Sequence, residues 1–332
     1  RCRCAGCGNH LVSHPFVHCG VAFLKQFGEA THMRIALLPP LFVVTTLAAA
    51  PAVAQDSADP QQTGEAQSDA APPAVAEAAE EGKARLSIGA GVAYFPDYEG
   101  SNEHTWSPIP AVQGAIAGMS ITLLANRVSL DLIPNDTGPV WDFQFGPVAV
   151  LNLNRSKLSA IEDPRIKALG EVDTALEVGG YVGIGKTGVI TSDYDKLSVT
   201  LSYRHDVTGI HRSGIWTPAI NYMTPLSTKT LVGLFATAEI VEDDYARTYF
   251  GVTPAGSVAS GLPVFTPRGG QKNIAMGGMF TYALTGDLTK GLALVTGFSY
   301  SKLLGDFADS PLVSIAGSRH QWTGGAGLAL TF

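Results

Sequence analysis

The chain has 332 residues, of which 45% are hydrophobic, 15% are charged and 37 are glycine, with a formal net charge of −7. Soluble domains carry about 25% charged residues and about 7% glycine, so this composition does not suit a cytosolic enzyme. No uninterrupted apolar run reaches the ~18 residues of a membrane helix, and the acidic balance leaves no basic stripe for a nucleic acid. A β protein of the cell envelope remains.

The four cysteines, Cys2, Cys4, Cys7 and Cys19, all lie near the start of the chain beside His10, His14 and His18. Ligand types alone would allow a zinc cluster, but such spacings are only suggestive in isolation. The next segment argues against it. Met33 and Arg34 open an apolar stretch from Ile35 to Ala50 that ends in Ala52-Val53-Ala54, a small-x-small cleavage site. With Pro39 and Pro40 inside it, the stretch is short for a membrane span of ~20 residues. Residues 1–32 therefore read as upstream read-through, 33–54 as a cleaved secretory signal, and the mature part as free of cysteine, metal and cofactor. From Gln55 to Lys83 the composition is Ala, Gln, Asp, Glu and Pro, too poor in large apolar side chains to offset chain entropy. This segment reads as a disordered acidic leader, either a spacer or a tether for a periplasmic partner.

From Ala84 onward, short apolar alternations are separated by Gly, Pro, Asn and Asp. Leu86, Ile88, Ala90, Val92 and Tyr94 share one phase against Ser87, Gly89, Gly91 and Ala93. Leu197, Val199, Leu201 and Tyr203 oppose Ser198, Thr200, Ser202 and Arg204 in the same way. A period of two means a sheet with one apolar and one polar face. Twelve strands are predicted, near 85–96, 107–117, 119–125, 127–134, 139–154, 172–186, 193–206, 214–225, 229–242, 271–284, 291–304 and 319–332. The hairpin turn at Asn126-Arg127 is the weak point; without it the count drops to ten.

A soluble sandwich would turn the apolar face inward, and a membrane barrel would turn it to lipid. Charge position decides between them. Arg127, Asp131, Asp142, Glu177, Lys196, Arg204, Asp206 and Glu239 all fall in the polar phase, and the apolar phase carries almost no charge. A charge facing lipid at mid-depth costs about 2–4 kcal/mol, whereas a wet lumen accepts it. The expected fold is thus all-β, an antiparallel up-and-down transmembrane barrel in the outer membrane of a Gram-negative bacterium, in contact with lipid and lipopolysaccharide. Short connections (Pro134 to Pro139, Lys186 to Ser192, Pro225 to Lys229, Thr285 to Lys290) fall on the periplasmic side. The long ones (Asp97 to Trp106, Arg155 to Glu171, Asp243 to Gly270, Gly305 to Ser318) fall outside. Trp141, Tyr222, Tyr282 and Phe332 then form the inner aromatic girdle, and Tyr94, Trp216, Tyr300 and Trp322 the outer one. The five lumen acids and three lumen bases read as a mutually paired network that plugs the barrel, with a narrow cation-preferring pore as the alternative.

No catalytic constellation emerges. His205 and Asp206 are neighbours on a strand and point to opposite faces, so they cannot share a site. His104, His211 and His320 fall in or near outer loops, where histidines are ordinarily solvated, and nothing holds a nucleophile such as Ser260 beside a base. The glycines at 179–183 and 324–327 lie in strand patterns with no helix following, which fails the context of a phosphate cradle.

Three separated stretches are similar to a known family. They are Tyr94-Phe95-Pro96-Asp97-Tyr98-Glu99-Gly100-Ser101, then Tyr249-Phe250-Gly251-Val252-Thr253 with Ser260-Gly261-Leu262-Pro263, and finally Leu304-Gly305-Asp306 with Asp309-Ser310-Pro311. In this order, over 84–332, they resemble the MipA/OmpV family. The resemblance implies an outer-membrane scaffold that joins a murein-degrading lytic transglycosylase to a penicillin-binding synthase; other members look like porins or adhesins. The terminal Phe332 on an alternating strand resembles the signal read by the barrel insertion machinery.

Overall fold

The computed structural model describes residues 85–116, 119–134 and 141–332. The upstream segment with its cysteines, the signal, the leader and the 135–139 turn lie outside the described residues. Twelve antiparallel strands close on themselves. They are β1 (Arg85–Pro96), β2 (His104–Ile116), β3 (Met119–Leu124), β4 (Arg127–Asp131), β5 (Trp141–Asn152), β6 (Ala175–Thr187), β7 (Lys196–Asp206), β8 (Gly214–Ser227), β9 (Thr230–Val241), β10 (Gly270–Ala283), β11 (Gly291–Leu303) and β12 (His320–Thr331). Each strand pairs with its sequence neighbours, and β1 seals against β12 from Ser87–Thr331 to Tyr94–Gly324. The doubtful hairpin is present: Leu124 pairs with Arg127 across a two-residue turn in which Ala125 takes φ 54°.

The register sorts side chains as the alternation requires. Val92, Phe143, Val182, Leu234 and Phe298 stand on the outer wall with half or more of their surface exposed. Their neighbours Gly91, Gln144, Gly183, Phe235 and Gly297 face the lumen. No helix among the described residues is long and apolar enough to cross a membrane. A closed sheet satisfies every ladder donor and acceptor, which is the condition for crossing lipid with strands.

With the large apolar side chains turned outward, the buried core cannot form inside the strand wall. It forms at one end, from the long connections. The 153–174 connection carries a 3-10 turn (Leu158–Ala160) and α1 (Pro164–Ala168). The 242–269 connection carries α2 (Asp243–Phe250) and α3 (Pro254–Ser260), and the 304–319 connection carries α4 (Gly305–Asp309) and α5 (Pro311–Ser314). Tyr245, Tyr249, Phe250, Phe307 and Val313 pack with Ile215, Val241 and Leu303 from the strand ends. Beside them Tyr98, Ile161, Ile166, Val252, Leu262 and Leu312 make a second cluster. One mouth of the barrel is therefore covered by a packed, folded plug.

Candidate functional site: a plugged mouth and its ion chain

The three family-like stretches meet in this plug. Tyr98 projects from the β1–β2 loop, and its hydroxyl donates to the carbonyls of Leu312 (2.9 Å) and Ala316 (3.1 Å), joining the first loop to the last. Burial first, then the charges of Asp163 and Asp97, push this phenol above its ordinary range and keep it a donor. The Asp97 carboxylate accepts from the Glu162 N–H at 2.8 Å. Gly100 sits at φ 105°, where a Cβ would lie 2.5 Å from Val313 Cγ2, and donates its N–H to Gln321 Oε1.

In the second stretch Tyr249 and Phe250 are buried, and Phe250 meets Phe307 edge-on at 5.2 Å. Gly251 turns the chain out of α2, and Val252 forms a bridge to Phe265. Thr253 accepts from the Gly256 N–H to cap α3, which ends with Ser260 and a left-handed Gly261. The buried Leu262 and then Pro263 carry the chain onward. From the third stretch, the Asp306 carboxylate accepts from Arg268 N–H at 2.9 Å. Asp309 lies 3.8 Å from Arg319 on the surface. The Ser310 hydroxyl donates to the Phe250 carbonyl at 2.6 Å, and Pro311 opens α5. These residues build and lock the plug; most are spent on one another.

Below the plug an ion chain crosses the barrel. Glu177 Oε2 lies 2.5 Å from Arg204 Nε, and Arg204 Nη2 lies 2.5 Å from Glu239 Oε1. Lys272 Nζ then bridges Glu239 Oε2 and Glu99 Oε1, each at 2.6 Å. Further donors complete it: Asn152 to Glu177, Asn273 to Glu239, and the Tyr245 hydroxyl to Glu99. Burial first, and then the charge of Glu99, hold the Tyr245 phenol well above its ordinary value, so it stays protonated. A buried charge is tolerated only when paired and hydrogen-bonded, and here each carboxylate has at least one cation and one further donor.

The register places all eight sequence-predicted lumen residues on the inner face, but it brings only some together. Glu177, Arg204 and Glu239 belong to the chain just described, and Lys196 pairs separately with Asp142 at 2.5 Å. Asp131 accepts the N–H groups of Ile133 and Phe145. Asp206 accepts those of Thr208, Gly209, His211 and Arg212, winding the 207–213 loop back on itself. Arg127 makes no hydrogen bond or ion pair among the described residues. The expectation of one mutually paired network is thus corrected to a chain, a pair, two backbone-held acids and a cation, Arg127, that feels Glu239 and Arg204 without a direct bond to either. The expectation that His211 is solvated is overturned: winding by Asp206 buries it, with Nε2 at 3.3 Å from Glu177 and its ring against Tyr245 and Tyr249. His205 faces outward and Asp206 inward, as their adjacency requires.

Lys272 escaped the sequence reading because the β9–β10 register shifts between Gln271 and Asn273. This bulge turns both Lys272 and Asn273 inward. Strict alternation would have put Lys272 against lipid, and that conflict was the available signal. Among the described residues no group of three His, Cys, Asp or Glu side chains is arranged to hold a metal ion.

Residues 88–332 match the family described as MltA-interacting protein MipA. The chain belongs to that family. No curated protein sequence matches it. Among solved structures, the NanC porin is similar over 75% of this chain and 99% of its own, at 8% identity and a TM-score of 0.36. An outer membrane channel from Pseudomonas putida F1 is similar over 82% of this chain and 100% of its own, at 12% identity and a TM-score of 0.36. This MipA-family chain is an outer-membrane barrel protein, with an apolar outer wall and one mouth filled by its own loops.

Proposed function

We propose that this MipA-family barrel is a membrane-anchored scaffold that holds a murein lytic transglycosylase, and with it a penicillin-binding synthase, at the outer membrane. The observation that supports it best is the plug. Tyr98, Tyr249, Phe250, Phe307 and Leu312 fill the mouth with a packed core, and the ion chain beneath it satisfies its own charges. A barrel closed in this way serves to present a surface. The family description, which names an interaction with MltA, points to the same class of partner. On this reading the plug faces outward and the short turns face the periplasm.

A stable interface takes about 800 Å² from each partner, more than a few tight turns offer. The acidic 55–83 segment, which precedes β1 in the sequence, supplies the remainder. Affinity capture from detergent-solubilised outer membranes is the test, done with the full mature chain and with 55–83 deleted. Recovery of a transglycosylase by the full chain and its loss on deletion is the expected result. Unchanged recovery rejects the role of the leader, and no recovery by either chain rejects the scaffold. In planar bilayers the intact barrel is expected to show no conductance steps above background; regular steps would favour a diffusion pore.

A further inference from the structure

We propose that the lumen beneath the ion chain is a binding site for a single-chain amphiphile, an alkyl tail with an anionic head, and that Arg127 receives the head. The proposal goes beyond the scaffold reading and does not depend on it. The strand wall encloses a cavity of about 640 Å³, within the ~300–1,000 Å³ of small-molecule sites. All its lining residues belong to strands, and none to the plug. On the β9 to β1 side the wall presents glycines: Gly91, Gly325 and Gly327 pack against neighbouring backbone, Gly233 and Gly297 leave space that larger residues would fill, and Phe235 borders it. An open, mainly apolar recess of this kind gains from being filled by hydrocarbon in place of water. Gln144, Ser198 and Asn221 supply a few polar groups on the opposite side.

The head group follows from the charge inventory. Glu177 and Glu239 are held by Arg204 and Lys272, and Asp142 by Lys196. Asp131 and Asp206 are held by backbone N–H groups. Arg127 is the cross-strand partner of the lining residue Leu124, is half-buried, and lies within the field of Arg204 and Glu239, but alone among these lumen charges makes no direct hydrogen bond or ion pair among the described residues. A guanidinium with unused donors beside an apolar recess suits a carboxylate or phosphate on an alkyl chain.

The test uses the full mature chain in amphipol, titrated calorimetrically with dodecanoate below its micellar concentration, with dodecanol as the neutral probe. Wild type is expected to bind one dodecanoate, and dodecanol more weakly. Arg127→Gln should weaken dodecanoate about ten-fold and leave dodecanol unchanged. Gly297→Phe should abolish binding of both, because a Cβ there meets nothing closer than Gly278 O at 3.5 Å and the ring would occupy the cavity. Heat-modifiability on gels shows that each variant is folded. Absence of binding by wild type, or dodecanoate binding that both variants leave unchanged, overturns the proposal; equal affinity for dodecanoate and dodecanol overturns the role of Arg127.

Discussion

Lys272 Nζ stands 2.6 Å from Glu99 Oε1, so a residue of the tenth strand holds a residue of the first loop. The same ammonium holds Glu239 and donates to the Tyr245 hydroxyl at 3.1 Å, which makes it the junction between wall and plug. Lys272→Met leaves Glu99 with no cation and Glu239 with Arg204 alone. Removing one partner of a buried pair costs about 3–5 kcal/mol. The lower end applies here, since both carboxylates keep about a fifth of their surface in water. Urea unfolding in lipid vesicles should show that loss; a wild-type midpoint would mean that the plug does not depend on this junction.

Tyr98→Phe removes one donor shared by two buried carbonyls and changes little else. An unsatisfied buried acceptor costs about 1–3 kcal/mol. Backbone amides of 312–317 are expected to exchange faster with deuterium, while those of β6 and β7 keep their protection. Uniform protection in both regions would contradict a locking role for the hydroxyl.

The turn before β7 carries its own pH dependence. Burial works against the charge of Asp195, but the N–H groups of Thr191 and Val189, the Tyr222 hydroxyl and the Ile190 N–H outweigh it and hold the carboxyl well below the usual range. A carboxyl lowered by folding adds stability above its unfolded value of ~3.9 and loses it as pH falls through the folded value. Asp195→Asn should therefore be less stable than wild type at pH 7, with the gap closing only below about pH 4. A gap that stays constant down to pH 2 would show that the charge is irrelevant.

The two faces of one strand give a direct test of the membrane wall. Val199 faces outward and is 48% exposed, whereas its neighbour Thr200 faces the lumen opposite Gly183. Val199→Lys should cost about 2–4 kcal/mol in a vesicle bilayer, and Thr200→Lys far less. Equal costs would mean that the outer wall is not in contact with lipid.

The barrel was legible because lipid contact imposes a rigid period of two, and a charge such as Glu177 or Arg204 in the wrong phase would be expensive. The plug was less legible. Tyr98, Tyr249 and Ser310 stood out only through resemblance, since their partners lie in other loops and no local spacing brings Tyr98 to Leu312. Lys272 was hidden by a single inserted residue in the ladder, and His211 by the way Asp206 winds its loop. These are effects of three-dimensional closure, and a pattern read along one strand does not contain them.

The first and last strands meet along β1 and β12, and the contacts above that join are made by the ends of the chain's own loops: Tyr98 to Leu312, Gly100 to Gln321, and Ser318 to Gly100. None of them can form while the ring is still open. A chain whose first and last strands have not met therefore lacks this lid, and an intact lid certifies a closed ring.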